Sequence, residues 1–221
     1  MATKTKRIGS ADRRKQILEV ARQLFARRGF RGTTTRQIAD LAKVNEAIIF
    51  RHFHKKDDLY WAVLDDLSRR RNSRGELMSS IPEQKTSAGS DLKNDEEFFT
   101  HVAEGILRRN RADPTLVRLL LFSALERHSL SRRFFRTYTT VYWDILAKYI
   151  RSRMRSRVYK PVNPMLAARS FVGMIGHYSW MQILFTPDDD QQFDDRLVSR
   201  TMARIWLAGM KVDGRGGRAK K

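Results

Sequence analysis

Apolar side chains recur at helical spacing along most of this chain. The first stripe follows the i, i+4, i+7, i+8 pattern and comprises Ile17, Ala21, Leu24 and Phe25. This predicts a first helix, with Ser10 as its N-cap and Asp12 in its first turn. Gly29 is placed to end that helix, because glycine accepts the left-handed backbone that closes a helix.

Two short amphipathic runs follow, at residues 35–42 and 46–52. Thr34 precedes the first run and forms a T-x-x-Q capping box with Gln37, and Asn45 precedes the second run as its cap. Helices this short do not persist alone in water, so neighbouring helices must support them. A short helix, a tight turn and a second short helix form the helix-turn-helix plan, in which the second helix enters the major groove of DNA.

The rest of the pattern predicts helices only. They lie at about residues 56–77, 95–109, 131–157, 164–185 and 192–210, with a further helix opened by Asp113 and Pro114. Residues 79–94 contain Pro, Gly and Ser without a period and predict a loop. The predicted fold class is all-α: a three-helix helix-turn-helix DNA-binding domain (1–55, with a flexible basic arm at 1–9), then a larger helical domain (56–210), to which the family resemblance given below assigns effector binding and dimerisation, then a disordered basic tail (211–221).

Charge strengthens the nucleic-acid interpretation. The net charge is +20, and residues 1–55 hold 14 Lys and Arg against 4 Asp and Glu, so half of the excess lies in the first quarter. A basic end domain on a nearly balanced body is typical of a polyanion-binding module. No apolar run has the length of a membrane span, the N-terminus lacks the apolar segment of a secretory signal, and there is no cysteine. These features predict a cytoplasmic protein without membrane contact.

An enzyme is the competing class. Glu97 and His101 stand at i, i+4 on one predicted helix, as acid–base or metal partners can. The chain lacks H-E-x-x-H, G-x-S-x-G, a Gly-rich phosphate loop and cysteine. His52 and His54, at i, i+2, point to different sides of a helix and so do not predict a metal site. We therefore expect no catalytic residues, no metal and no cofactor.

Residues 29–63 resemble the DNA-binding region of the TetR family of bacterial transcriptional regulators. The matching pieces are G-F-x-G-T-T at 29–34, I-A at 38–39, A-x-V at 42–44, an aromatic-x-H-F group at 50–53 and K-x-x-L at 56–59. Four positions depart from the family: Lys43 and Ala47 replace glycines, Phe50 replaces a tyrosine, and Lys55 replaces a Ser or Thr cap. Binding of DNA phosphates by this region is therefore expected to depend more on lysine charge than on hydroxyl groups.

The second short helix supplies the candidate DNA contacts. Its N-terminal turn would face base edges through Asn45, Glu46, Ala47 and Ile48, with Asn45 suited to adenine and Glu46 to cytosine. The candidates for phosphate contacts are Thr34, Arg36, Lys43, Phe50, Arg51, His52, Lys55 and Lys56. We expect Ile49 and Phe53 to pack in the core, whereas Ile48 suits either role.

The resemblance implies a homodimer that pairs the last two long helices of each subunit. The candidate interface comprises Met165, Phe171, Met174, Ile175, Leu197, Met202, Ile205 and Trp206; burial within one subunit is the alternative. The middle helices would enclose an effector pocket built from Phe98, His101, Phe122, Phe135, Tyr138, Tyr142, Trp143, His177 and Trp180, which suits a small, partly hydrophobic molecule.

The implied function is a repressor that binds double-stranded DNA at a palindromic operator and leaves it when the effector binds. A DNA-binding architectural protein, effector-independent or weakly specific, is the second interpretation. Steep salt dependence is common to both, so the ratio of specific to random-DNA affinity discriminates between them.

Overall fold

The computed structural model describes residues 9–73, 92–185 and 193–212. The all-α prediction is confirmed, because these residues form helices and no strand; their one β-bridge joins Tyr159 and Lys211. The predicted basic arm before Gly9, most of the predicted 79–94 loop and most of the predicted 211–221 tail lie outside the described residues. Within the three described ranges, no helix is long and apolar enough to cross a membrane.

The helices of the described ranges are numbered here in chain order. Their bounds are α1 Ser10–Arg28, α2 Thr35–Leu41, α3 Glu46–His52, α4 Lys56–Ser73, α5 Leu92–Ala112, α6 Thr115–Leu125, α7 Ser129–Phe134, a π-helical turn Phe135–Thr139, α8 Thr140–Arg155, α9 Pro164–Phe185 and α10 Asp195–Met210. The predicted 164–185 helix is confirmed at both ends. Asn163 caps it, since its Oδ1 accepts from the backbone N–H groups of Met165 and Leu166 at 2.9 and 3.1 Å.

Three local predictions were wrong. Gly9, not Ser10, is the N-cap of α1, and no side chain caps that helix. Helix α5 already begins at Leu92, within the predicted loop. The predicted 131–157 helix is divided by the π-helical turn, where an i→i+5 hydrogen-bond pattern replaces the regular one.

The chain divides into two compact units, Met1–Ser73 with Thr115–Arg136, and Arg74–Pro114 with Thr137–Lys221. The predicted boundary at residue 55 does not coincide with this division. Tyr60 on α4 is fully buried, its ring meets Phe25 of α1 edge-on at 4.8 Å, and its hydroxyl donates to the Leu119 carbonyl at 2.8 Å. Helices α4, α6 and α7 therefore belong to the same unit as the helix-turn-helix. The assignment of a separate function to each domain stays a prediction.

The second unit has an aromatic centre. The ring of Phe99 on α5 lies 4.8 Å from Phe171 on α9 and 4.5 Å from Trp206 on α10. Beside it, Asp95 is 1% exposed and accepts hydrogen bonds from the Tyr149 hydroxyl at 2.5 Å and from Arg153 at 2.8 Å. Burial raises the pKa of Tyr149, so this hydroxyl stays a donor. The paired charge joins α5 to α8 inside the unit.

Candidate nucleic-acid interface

Side-chain caps start both short helices of the helix-turn-helix. The Thr34 hydroxyl accepts from the Gln37 N–H at 3.2 Å, and Gln37 Oε1 accepts from the Thr34 N–H at 3.1 Å. Asn45 Oδ1 accepts from the Ala47 N–H at 2.9 Å. The predicted capping box and the predicted cap of α3 are both confirmed. These caps satisfy N–H groups that helices of seven residues would otherwise leave open.

A lysine in left-handed backbone makes the turn between α2 and α3. Lys43 has a φ of 51°, which lies in the left-handed region of backbone conformation. Its N–H bonds to the Asp40 carbonyl at 3.1 Å, and the Val44 N–H bonds to the Ala39 carbonyl at 3.0 Å. This pair of bonds is the Schellman motif, whose left-handed position normally holds glycine. The turn is therefore closed normally, but with strain at Lys43.

We expect Lys43→Gly to raise the free energy of unfolding by about 0.5–1 kcal/mol, because relief of left-handed strain exceeds the entropy that glycine adds to the unfolded chain. Lys43→Ala is the control, since it removes the charge but keeps the strained backbone. Urea denaturation of both variants measures the difference. An equal gain in the alanine variant would assign the effect to charge and contradict the backbone explanation.

Helix α3 is anchored by its apolar side. Ile49 is 1% exposed and Phe53 is 4% exposed, which confirms the predicted core role of both. The guanidinium of Arg14 lies 5.0 Å from the centre of the Phe53 ring. Ala47 and Phe50 are exposed, whereas Ile48 is half-buried. The helix therefore has a fixed inner face and a free outer face.

The four candidate base-contact residues form the first turn of α3 and its cap. Asn45 is exposed, but its side-chain oxygen is occupied by the cap. Glu46 is half-buried, and its carboxylate accepts a short hydrogen bond from the Thr35 hydroxyl at the start of α2. Thr35 thus positions Glu46, a role that has no signal in the helical pattern. This bond holds a carboxylate at the part of α3 that a major groove would receive.

Most candidate phosphate contacts are accessible. Exposed side chains are those of Thr34, Arg36, Lys43, Phe50, Arg51 and Lys55, and His52 is half-buried. Lys56 differs: its ammonium donates to the carbonyls of Phe30 and Thr33, both at 2.9 Å, and lies 4.1 Å from the centre of the Phe30 ring. Burial lowers the pKa of this ammonium. Lys56 therefore holds the α1–α2 linker in place, and its assignment to a phosphate contact stays a prediction.

We expect Lys56→Met to lower the free energy of unfolding by about 2 kcal/mol, because two carbonyls lose their donor and each such loss costs about 1–3 kcal/mol when buried. Lys55→Met is the matched control; Lys55 is exposed, so its replacement should change stability by less than about 0.5 kcal/mol. Urea denaturation of the two variants tests this. Equal stabilities of the Lys56→Met and Lys55→Met variants would show that Lys56 does not hold the linker.

The turn between α6 and α7 also holds the linker, through contacts distant in sequence. The Glu126 carboxylate accepts from the Arg31 N–H at 3.2 and 3.3 Å. The His128 ring lies 4.2 Å from that of Phe30, and its Nε2 lies 3.3 Å from Asp57 Oδ1. Sequence pattern offers no signal for pairs so far apart. The turn therefore helps to position the helix-turn-helix within the first unit.

The predicted effector residues do not line a pocket that described residues of the second unit form. Phe122 and Phe135 belong to the first unit, and Phe98 is a core residue stacked on Tyr149 at 4.2 Å. The remaining described members are exposed or half-buried: His101, Trp143, His177 and Trp180; the side chains of Tyr138 and Tyr142 lie outside the description. The pocket, of about 180 Å³, is lined instead by Leu107, Asn110, Arg111, Pro114, Tyr178, Ser179, Gln182, Ile183 and Asp195.

The predicted dimer residues divide between core and surface. Phe171, Ile175 and Trp206 are buried within the second unit, so their assignment to an interface was wrong. Leu197 and Ile205 are 56% and 63% exposed. Half-buried members are Met165, Met174 and Met202. The helical spacing of apolar residues alone could not distinguish the buried face of α9 from its exposed face, because α9 carries apolar residues around most of its circumference.

A capped helix-turn-helix whose second helix has an exposed outer face, with exposed cations before and after it, defines the class: a helix-turn-helix protein of the all-α type. Comparison with known proteins then gives the family. Residues 17–63 match the family of bacterial regulatory proteins called tetR, and residues 99–208 match the C-terminal domain of AefR-like transcriptional repressors. The chain belongs to the TetR family, as the resemblance of residues 29–63 predicted.

Similar proteins carry regulator names. An uncharacterised HTH-type transcriptional regulator of Bacillus subtilis, YvkB, is 48% identical over 59 residues, which are 27% of this chain and 31% of that protein. An HTH-type transcriptional repressor of Mycobacterium tuberculosis is 53% identical over 51 residues, 23% of this chain and 27% of that protein. The matched segments thus span less than a third of these relatives. The crystal structure of AibR with isovaleryl coenzyme A and operator DNA shares the fold, with a TM-score of 0.64 and 21% identity over 87% of this chain and 97% of that one.

Proposed function

We propose that this chain is a cytoplasmic transcriptional repressor that binds a palindromic operator as a homodimer and is released by a small, partly hydrophobic effector. The supporting observation is the outer face of α3, whose first turn is capped by Asn45 and fixed from behind by Ile49 and Phe53. A rigid, exposed helix start with basic residues around it suits the major groove. Membership of the TetR family supports the same function.

The proposed DNA contacts are of two kinds, contacts to base edges and contacts to phosphates. Glu46, Ala47 and Ile48 face base edges, with the free amide group of Asn45 beside them. Exposed cations surround that turn and bind phosphates without reading sequence; they are Arg36, Lys43, Arg51 and Lys55. Thr34 and Phe50 border the same surface, and the half-buried His52 completes it.

The proposed dimer uses the outer faces of α9 and α10. On α9, Leu166 and Leu184 are 63% and 43% exposed, and on α10 Leu197 and Ile205 are exposed. A Cβ added at Gly173 would meet no atom within 4 Å, so a second subunit's helix can approach α9 closely there. Large exposed apolar residues in a row on two adjacent helices mark an interaction surface.

We expect the double substitution Leu197→Glu with Ile205→Glu to convert the dimer to monomer, because four buried carboxylates at a two-fold interface would lack partners. Lys148→Glu, at an exposed position of α8, is the control. Sedimentation equilibrium measures the mass of each variant, and circular dichroism checks that the helices persist. A dimer in the double variant would place the interface elsewhere.

The effector part of the proposal draws on the second unit's pocket and on AibR. That protein's structure contains isovaleryl coenzyme A together with operator DNA. An effector of this chain lowers DNA affinity only by its differential affinity for the two conformations of the dimer. A compound that binds equally well to both conformations leaves the operator complex unchanged.

Selection of bound duplexes from a random DNA pool tests the function. The expected product is an inverted repeat whose half-sites lie about one helical turn, or a multiple, apart. Recovery of unrelated sequences would contradict the repressor proposal and favour a weakly specific architectural protein. The relatives named above are regulators and not enzymes, and the absence of an enzymatic activity in this chain remains a prediction.

A further inference from the structure

Gln16 on α1 joins that helix to the turn between α2 and α3. Its side-chain Nε2 donates to the Ala42 carbonyl at 3.0 Å. Ala42 is the C-cap of α2 and is 0% exposed, so water cannot replace this donor. Among the described residues, no backbone N–H bonds to that carbonyl. The buried carbonyl therefore depends on Gln16 for its hydrogen bond.

Arg13 determines which end of the Gln16 amide faces the turn. Its guanidinium Nη1 donates to Gln16 Oε1 at 2.9 Å, from a position three residues earlier on α1. A guanidinium has donors only, so the amide directs its oxygen towards Arg13 and its nitrogen towards the Ala42 carbonyl. Both side chains are half-buried, which limits the exchange of these bonds with water. Arg13, Gln16 and Ala42 thus form a hydrogen-bonded chain from α1 to the turn.

The turn that receives this chain supports the first turn of α3. Lys43 follows Ala42 in left-handed backbone, and Asn45 caps α3 two residues later. The far end of α3 is held separately, because its C-cap Phe53 is 4% exposed and lies 5.0 Å from the Arg14 guanidinium. A shift of the turn would therefore tilt the first turn of α3 while the far end stays in place.

We propose that Gln16, oriented by Arg13, is a positioning residue for base reading by α3. It acts through the turn, whose place sets where Glu46 and Ala47 stand against the base edges. Contacts that read bases must be held within about 0.5 Å of their productive geometry, whereas phosphate contacts carry no sequence information. The inference rests on the proposed function, because it assigns Gln16 a part in DNA recognition.

Gln16→Met tests the inference, since methionine has a similar length but cannot donate. The measurement is the ratio of Kd values for the selected palindrome and for a shuffled duplex of the same composition, at one salt concentration. We expect the preference to fall about tenfold, while the Kd for shuffled DNA changes by less than about twofold. Partial unfolding would raise both Kd values alike and leave the ratio unchanged. An unchanged ratio in Gln16→Met would overturn the inference.

Two further residues of α1 provide matched controls. Gln23→Met removes an exposed amide that donates to Glu19 at 3.2 Å within the same helix, and should leave the ratio unchanged. Arg13→Met removes the residue that orients Gln16 and should lower the preference about threefold. Lys15→Met removes the same charge at an exposed position and should leave the ratio unchanged. Equal ratios for the Arg13 and Lys15 variants would contradict the orienting role of Arg13.

Amide hydrogen exchange tests the Gln16–Ala42 bond without DNA. The Val44 N–H bonds to the Ala39 carbonyl at 3.0 Å and reports on opening of the turn, and the N–H of the buried Val63 on α4 is the reference. Gln16→Met should speed exchange at Val44 about tenfold relative to Val63. An unchanged relative rate would show that Gln16 does not hold the turn, and would overturn the inference.

Failure of this inference and failure of the proposed function give different results. A wild-type chain that selects no preferred sequence would contradict the proposed function, and the exchange of Val44 would still decide whether Gln16 holds the turn. A wild-type preference that Gln16→Met leaves intact would contradict this inference alone.

Discussion

Gly29→Ala is expected to lower the free energy of unfolding of the first unit by about 3 kcal/mol or more, since left-handed, extended backbone of this type is restricted to glycine. Gly29 has a φ of 70° and a ψ of −178° at the end of α1. A Cβ at this position would also lie 2.5 Å from Glu126 Oε1 and 3.1 Å from the Phe122 ring. Backbone strain and collision therefore act in the same direction.

A double-mutant cycle separates these two causes. Glu126→Ala removes the nearest collision but leaves the backbone strain, so Gly29→Ala should cost less in that background by about 1 kcal/mol. Gly9→Ala is the control, because a Cβ there would meet nothing closer than 3.7 Å. Urea denaturation monitored by circular dichroism gives all the values. A cost for Gly29→Ala no larger than for Gly9→Ala would show that the α1–α2 linker is not held in this conformation.

Glu46→Gln is expected to change the preferred base at one position of each half-site and to remove about 1–3 kcal/mol of discrimination there. The same change should strengthen binding to random DNA, because it removes a negative charge from the face that meets phosphates. The two effects have opposite signs, which a general loss of folding cannot produce. Thr35→Val tests the positioning role: it removes the hydroxyl that holds the Glu46 carboxylate, and should weaken the preference without replacing it.

Arg51→Gln is the control for that prediction. Arg51 is an exposed residue of α3 assigned to phosphate, so its replacement should lower affinity for all sequences alike and reduce the salt dependence. Selection and competition binding with each variant provide the measurements. An unaltered base preference in Glu46→Gln, or an altered one in Arg51→Gln, would contradict the division of roles.

Local features of this fold were predictable from sequence. The caps Thr34 and Asn45 and the apolar anchors Ile49 and Phe53 depend on residues within one or two helical turns, and all four appear as expected. The prediction that Ser10 is the N-cap of α1 was wrong, because Gly9 takes the extended cap conformation one residue earlier. The split of α8 from α7 by a π-helical turn has no clear compositional sign.

Long-range features were not predictable. Lys56 looked like a surface cation, and only its distance from the Phe30 and Thr33 carbonyls reveals a tether. Trp206 and Phe171 have the helical spacing of an interface, yet they pack against each other with ring centres 5.5 Å apart inside the unit. The pocket lining depends on how α5, α9 and α10 pack, which periodicity leaves undetermined.

The proposed repressor binds DNA sequence-specifically through a two-fold pair of α3 helices. Its most direct test is the ratio of Kd values for the selected palindrome and for a shuffled duplex of the same composition, at one fixed salt concentration. We expect a preference of about 10³-fold or more, lost when the half-sites are moved apart by half a helical turn. A ratio near one would contradict sequence-specific binding, and a preference that survives the altered spacing would contradict binding by a two-fold pair of α3 helices.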